Sequence, residues 1–275
     1  MKIAIRSLLR CQVISVIQMK HAHFYWYMRG HQISQGRLAS ETLHWLNYRQ
    51  ALEQTVFFES IRELQQKSSH PLVMYFHGYM ADFIPVNLEI TRALDQFILP
   101  EDSSVVCVHI QWQAFSFYPY VHDWMQKTCI PCLNEVITEL MGLSAKVDVL
   151  GHSMGSSLLH YSLENQDWSS HIHKCVLAAP ELSFDAFTSS EHWIKMMDRV
   201  QVFATNGDLT LTLASWIKRD LKLGLATTAV DEENFPGEVV RDFSKDELWA
   251  GKYFRHRYFY THPEVRSKIH AFYYG

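Results

Sequence analysis

The sequence predicts an α/β fold with a doubly wound, mostly parallel sheet and helices on both faces. From residue 72 onward, short apolar runs rich in Val alternate with longer helical patterns. The apolar runs are continuous, which indicates strands buried on both faces, as in a parallel sheet. The chain has 275 residues, 48% of them hydrophobic, which is enough for one domain with a sizeable core.

Six segments are predicted as strands, because each has the usual strand length and most are rich in Val. In chain order they are LVMYF (72–76), VVCVHI (105–110), KVDVL (146–150), KCVLAA (174–179), VQVFA (200–204) and the weaker EVVRDF (238–243). Four helical patterns separate them: Asn87 to Phe97, Asp123 to Met141, Ser156 to Glu164 and Leu211 to Leu223.

The first 70 residues have a less distinct pattern. A buried strand is predicted around Gln12 to Ile17, and AHFYWYM (22–28) is either a strand or an aromatic packing segment. Residues 41–67 favour one or two helices. With no repeat, low-complexity tract or linker, residues 1–275 are interpreted as a single domain, with 1–56 as an N-terminal extension packed on it.

Composition excludes several classes of function. The net charge of -4 argues against nucleic acid as a partner. Arg6 and Arg10 interrupt the apolar N-terminus, no signal-cleavage site follows, and no apolar stretch is long enough to cross a bilayer. We therefore expect a soluble, cytoplasmic protein.

The cysteines and paired histidines are interpreted as structural. Five cysteines are an odd number and three lie in apolar runs, so we expect buried thiols rather than disulfides. The Cys129–Cys132 C-x-x-C pair lies inside a helical pattern, which favours packing over redox chemistry. His21 and His23, like His171, His173 and Cys175, lack identifiable further ligands, so no metal or cofactor is predicted.

The segment LGHSMGSS, residues 150–157, contains the pattern G-x-S-x-G centred on Ser153. This pattern indicates a nucleophile when it follows a strand and begins a helix, because the serine then lies on a strained, exposed turn. KVDVL precedes it and a helical pattern follows it. The context therefore predicts that Ser153 is a catalytic nucleophile, not one more small residue in a turn.

A serine nucleophile needs donors for the negative charge that develops on the substrate oxygen. One is expected to be the backbone N–H of Met154, the residue after the serine. The strand LVMYF is followed by His77-Gly78-Tyr79, and glycine permits a close approach of the backbone to a substrate carbonyl. The N–H of Tyr79 is the predicted second donor; the alternative is that His77 and Gly78 only close a turn.

The serine also needs a histidine base and a carboxylate, in the chain order Ser, acid, His. Asp208 follows the strand VQVFA in an Asn-Gly turn, whereas Asp185 lies at a helix start where an N-cap role suffices. For the base, His262 and His270 lie at or within a helical pattern. His256 lies in the loop before that pattern, so position favours it.

Together these segments resemble the bacterial α/β-hydrolase family of unassigned substrate, which is related to esterases and lipases. The resemblance runs from about Phe57 to the C-terminus, through VMYFHGYM, VVCVHIQW, VDVLGHSMGSSLL, VLAAPELSFDAF, FATNGDLTLTLA and HRYF. It implies that the histidine opening a His-x-Tyr-aromatic stretch, here His256, is the base and that the aspartate of TNGD, here Asp208, is the acid. It implies the α/β-hydrolase fold but no substrate, and Met80 stands where the family usually has a polar residue.

We therefore expect a serine hydrolase that acts on a small ester or acyl substrate through an acyl-enzyme, without a cofactor. Two alternatives stay open: a catalytically silent binding module, and an acyltransferase that uses the same residues. The aromatic segment from Gln111 to Trp124 either lines an acyl pocket as a wall or lid, or packs on the core. The sequence does not predict an oligomeric state.

Overall fold

The computed structural model of the chain describes residues 20–29, 32–38, 49–51, 53–79, 84–101, 104–112, 118–205, 207–226 and 256–275. These residues form eight strands: β1 (Ala22–Arg29), β2 (Gln32–Leu38), β3 (Arg49–Ala51), β4 (Leu72–Phe76), β5 (Val106–Trp112), β6 (Val147–His152), β7 (Ile172–Ala178) and β8 (Val200–Phe203). The eight strands form one sheet with the order β3-β2-β1-β5-β4-β6-β7-β8.

The sheet is mostly parallel. The six strands from β1 through β5, β4, β6 and β7 to β8 all run in the same direction. Strands β2 and β3 extend the β1 edge with antiparallel pairing. Every residue of β4, β5 and β6 is buried, as the continuous apolar runs predicted.

Helices cover both faces of the sheet, which confirms the doubly wound α/β class. The helices are α1 (Gln54–Gln65), α2 (Ile84–Ala93), α3 (Tyr118–Trp124), α4 (Ile130–Met141), α5 (Met154–Asn165), α6 (Phe184–Ser189), α7 (Glu191–Lys195), α8 (Leu209–Lys218), α9 (Tyr258–Thr261) and α10 (Pro263–Tyr274). The hydrophobic core on one face of the sheet includes residues of α1, α3, α4, α5, α6 and α7, and the core on the other face includes residues of α2, α8, α9 and α10.

Five predicted strands are confirmed as β4 to β8, with ends that differ by two residues or fewer. The long helical pattern from Asp123 to Met141 is instead divided among α3, a π-helical stretch (Met125–Cys129) and α4. Pro131 explains why α4 begins at Ile130, because proline has no backbone N–H and is best tolerated in the first turn of a helix.

The N-terminal region adds strands to the same sheet. AHFYWYM lies in β1, which pairs in parallel with β5, so the strand interpretation of this segment is correct. Residues 49–51 pair with β2 as a strand rather than beginning a helix, and α1 follows from Gln54. We propose that these strands belong to one domain with the rest of the chain. The predicted strands at Gln12 to Ile17 and at 238–243 lie outside the described residues.

Among the helices that the structure describes, none combines the length and the apolar character needed to cross a bilayer.

Candidate active site

Ser153 lies in the tight turn that joins β6 to α5. Its backbone angles, φ 52° and ψ -124°, fall in a region that residues with side chains rarely adopt. Gly155 allows this turn to pack against the end of β4, because a Cβ atom there would lie 2.2 Å from the carbonyl oxygen of Phe76. Strand, strained serine and helix thus form the geometry expected of a nucleophile elbow.

Three predicted site residues lie in a hydrogen-bonded line. The Nε2 atom of His256 is 2.8 Å from Ser153 Oγ, and its Nδ1 atom is 2.6 Å from Asp208 Oδ2. Because a carboxylate only accepts, Nδ1 carries the proton and Nε2 is left to accept the hydroxyl proton of Ser153. The side chain of Asp208 is fully buried, whereas that of His256 is 13% exposed. The arrangement can remove a proton from the serine and stabilise the resulting imidazolium.

Asp208 is fixed by a second role as the N-cap of α8. Its Oδ1 atom accepts a hydrogen bond from the backbone N–H of Leu211 at 3.0 Å, which leaves Oδ2 for His256. Aspartate is among the preferred N-cap residues because its carboxylate satisfies a free N–H of the first turn. The start of α8 therefore orients the carboxylate toward the histidine.

Two further residues hold His256, and neither has a role predicted from the sequence. The hydroxyl of Tyr258 donates to the carbonyl of Phe203 at 2.6 Å and accepts from the N–H of Ala179 at 3.0 Å, which anchors α9 to the ends of β7 and β8. The Nε2–H of His152 donates to the His256 carbonyl at 3.0 Å. In the sequence, Tyr258 is marked by its His-x-Tyr spacing from His256, and His152 is marked by its place at the first variable position of G-x-S-x-G.

His152 acts as a neutral donor. Burial, together with the neighbouring His256, holds the pKa of His152 well below its usual value. Its ring lies 4.6 Å, centroid to centroid, from that of Phe259. The ring is therefore a fixed, uncharged support for His256.

The loop that carries Tyr79 packs directly against the elbow. A Cβ atom at Gly78 would lie 2.8 Å from the Cβ of Ser153, so only glycine permits this approach. His77 fixes the loop: its Nε2 accepts from the N–H of Trp112 at 2.8 Å, and the two rings stack with centroids 5.4 Å apart. His77 thus does more than close a turn, because it ties the ends of β4 and β5 together.

Met154 is the first residue of α5. The N–H groups of the first helical turn have no partner within the helix, so they can donate to a ligand. The helix start that carries Met154 and the loop that carries Tyr79 therefore both adjoin Ser153.

The competing candidates lie elsewhere. Asp185 is an exposed residue in the first turn of α6, whose N-cap is Ser183, so the N-cap role considered for Asp185 is wrong. His262 is the N-cap residue of α10, and His270 bonds through Nδ1 to the carbonyl of Ile98 at 3.0 Å. Neither is part of the line through His256.

A buried polar cluster around Glu181 adjoins the elbow. The N–H of Glu181 donates to the carbonyl of Ser153 at 3.1 Å, and its carboxylate accepts from Ser157 and Tyr118. His122 lies 3.2 Å and the ammonium of Lys222 lies 2.8 Å from the same carboxylate. Tyr118 and His122 belong to α3, so this cluster fastens α3 over the elbow.

The aromatic segment from Gln111 to Trp124 both packs on the core and borders the site. Trp112 and Trp124 stack with centroids 6.3 Å apart, and Tyr118 meets the ring of Tyr79 edge to face. Residues 113–117 lie outside the described part of the chain.

Four cysteines lie within the described residues, and all four are free thiols. Cys107, Cys129 and Cys175 are buried, and Cys132 is partly buried. Cys129 is the last residue of the π-helical stretch, and Cys132 lies in the first turn of α4. Cys129 belongs to the hydrophobic core and Cys132 packs against it, which agrees with the packing interpretation.

Residues 50–271, most of the chain and all of the site, match a family described as an alpha/beta hydrolase of unknown function (DUF900). None of the curated proteins matches the sequence. Among solved structures, the product of the gene lin2722 from Listeria innocua is similar, with 12% identity and a TM-score of 0.40 over 74% of this chain and 94% of that chain.

Proposed function

The chain belongs to an α/β-hydrolase family of unknown function, and we propose that it is a serine hydrolase that cleaves a carboxylic ester or thioester. One observation carries the proposal: His256 lies between Ser153 and Asp208, within 2.8 Å of the hydroxyl and 2.6 Å of the carboxylate. A histidine in this position converts a weak alcohol nucleophile into an effective one.

In the first half of the proposed reaction, Ser153 Oγ attacks the substrate carbonyl while its proton passes to His256 Nε2. Asp208 keeps the proton on Nδ1 and stabilises the imidazolium by its charge. The N–H groups of Met154 and Tyr79 donate to the oxyanion of the tetrahedral intermediate. The intermediate collapses to an acyl-serine when the bond to the leaving alcohol or thiol breaks and His256 returns the proton to it.

In the second half, water attacks the acyl-serine and gives its proton to His256 Nε2. Collapse of the second intermediate releases the acid and restores the proton to Ser153. If an alcohol replaces water in this step, the same residues transfer the acyl group instead. Product analysis with and without added alcohol separates hydrolysis from this acyltransferase alternative.

The decisive experiment is labelling with a fluorophosphonate probe, which reacts only with an activated serine. Wild-type protein is expected to be labelled, and Ser153→Ala to be unlabelled and inactive on aryl and thiol esters. Ser144→Ala is the matched control, because this half-buried serine lies in the turn before β6 and its hydroxyl donates to the Lys146 carbonyl.

A folded wild-type protein that takes up no probe would support the silent binding module instead. Labelling that persists in Ser153→Ala would place the reactive serine elsewhere. Circular dichroism and thermal unfolding of each variant establish that the comparison is between folded proteins.

A further inference from the structure

A second cluster of side chains lies within the sheet, separate from the elbow. Strand β1 pairs with β5 so that His23 lies beside Cys107. Cys107 and His109 are two residues apart in β5, so their side chains lie on the same face of the sheet. All three are buried, with exposures of 1% for His23 and 0% for Cys107 and His109. Neither the fold nor the proposed hydrolysis requires this combination of a thiol and two imidazoles in the core.

The donor atoms of the cluster are close enough to share one ion. His23 Nδ1 lies 3.0 Å from His109 Nε2, and one nitrogen from each ring and the Cys107 sulfur all lie within 4.8 Å of one another. Two nitrogen ligands of a tetrahedral zinc ion, each at 2.0–2.1 Å, are separated by about 3.3 Å. Small side-chain shifts would therefore bring the three donors into tetrahedral positions.

Asp95 supplies the outer contact that metal-bound histidines usually have. Its Oδ1 atom lies 3.2 Å from Nε2 of His23, so that Nε2–H donates to the carboxylate and Nδ1 is directed at the cluster. A carboxylate that holds the far nitrogen of a histidine fixes the tautomer that ligates. The backbone N–H groups of Lys20 and His21 hold Asp95 itself.

The charges of the cluster also favour a cation. The Asp95 carboxylate is 1% exposed and lies 3.2 Å from Nε2 of His23. A divalent ion together with one thiolate and one carboxylate has no net charge, and a neutral group costs the least desolvation free energy in a core.

We propose that His23, Cys107 and His109 bind a divalent transition-metal ion of the zinc type, with Asp95 as the carboxylate that orients His23. Two imidazoles and a thiolate are donors that suit zinc, and hard cations such as Mg²⁺ and Ca²⁺ prefer oxygen. On binding, the thiol loses its proton to solvent and His109 carries its remaining proton on Nδ1, so both nitrogen lone pairs face the ion.

The ion would fasten three parts of the chain. Its ligands come from β1 and β5, and Asp95 lies in the π-helical stretch (Leu94–Ile98) that follows α2. β1 is also the strand through which β2 and β3 join the parallel sheet. The site is thus a structural staple that holds the N-terminal strands, and it is independent of the proposed hydrolysis.

The test measures metal in the full-length protein. Protein expressed with zinc and purified without chelator is expected to contain about one zinc ion per chain by elemental analysis. Protein stripped by unfolding in chelator and refolded with Co²⁺ is expected to show a sulfur-to-cobalt charge-transfer band and the visible bands of tetrahedral cobalt. Refolding without metal is expected to lower the unfolding temperature, and added zinc to restore it.

Cys107→Ala is expected to lose the charge-transfer band, whereas Cys175→Ala, which removes an equally buried thiol on β7, retains it. If Cys107→Ala does not fold, wild-type metal content and the zinc dependence of its unfolding temperature still decide the question. Folded wild-type protein with no zinc, no cobalt–thiolate band and no zinc-dependent stability would overturn the proposal. The cluster would then be a hydrogen-bonded chain from Asp95 to His109.

Discussion

At the residue scale, the conformation of Ser153 is enforced by its neighbours. Its positive φ is unfavourable for a residue with a Cβ atom, at a cost of about 1–3 kcal/mol. The N–H of Ser153 donates to Ala178 and its carbonyl accepts from Ser156 and Glu181, so β7 and α5 hold the turn in place. The strain directs the hydroxyl out of the strand toward His256.

Gly155→Ala tests how tightly this turn is packed. The added Cβ would lie 2.2 Å from a backbone oxygen, so α5 must move away from β4. We expect a loss of about 1–3 kcal/mol in the free energy of unfolding, measured by urea denaturation, and a fall in any turnover by Ser153. Gly142→Ala, at an exposed helix end with ordinary φ, is expected to change stability by about 0.5 kcal/mol or less. Equal stability of both variants would mean that α5 does not depend on this close contact.

The histidines near the C-terminus give a second test at this scale. His256→Ala removes the only described imidazole within hydrogen-bonding distance of Ser153 and is expected to lower kcat for an activated ester by about 10⁴-fold or more. His262→Ala changes the N-cap residue of α10, outside the hydrogen-bonded line through Ser153, and is expected to retain most of the turnover. The reverse pattern in steady-state assays would show that the base is misassigned.

At the scale of elements, the start of α8 couples stability to the proposed chemistry. Asp208 both caps the helix and bonds to His256. The two roles can be separated, because asparagine caps helices as well as aspartate does but carries no charge.

Asp208→Asn is therefore expected to leave the free energy of unfolding nearly unchanged while lowering kcat by about 10⁴-fold, as loss of the correct histidine tautomer does in serine proteases. Asp208→Ala should lose similar activity and also about 1 kcal/mol of stability with the cap. Chemical denaturation and ester kinetics on the same preparations measure both quantities. An Asn variant with wild-type kcat would exclude Asp208 as the acid.

At the scale of the whole molecule, the Glu181 cluster joins α3, α5 and the segment that carries Lys222. Burial raises the pKa of Glu181, but the hydrogen bond and charge of His122 and the ammonium of Lys222 outweigh it and lower the pKa to about 2, from a usual value of 4.5. A lowered folded-state pKa contributes stability above the unfolded value of 4.5, which is lost as the pH falls toward 2.

We therefore expect the free energy of unfolding to fall between about pH 5 and pH 2, by an amount on the order of 3 kcal/mol from this carboxyl. Glu181→Gln should be less stable than the wild type at pH 7, and the difference should shrink as the pH is lowered. Glu135→Gln, at an exposed position on α4, is the control and should follow the wild-type curve. A difference that stays constant with pH would show that Glu181 titrates normally in the folded protein.

The sequence by itself determined the α/β class, the five strands from β4 to β8 and the family. Apolar runs and glycine spacing can be read in short segments, and the order of these segments can be read along the chain. It also singled out Ser153, Asp208 and His256, which the fold brings together; their catalytic roles stay predictions.

Only the tertiary structure decided what depends on strand pairing and side-chain approach. It joined β1 to β5, so that His23 gained Cys107 and His109 as neighbours, and it placed His152 and Tyr258 as supports of His256. Such contacts link residues far apart in the chain, so a pattern of neighbouring residues can mark a position but does not show which side chains meet there.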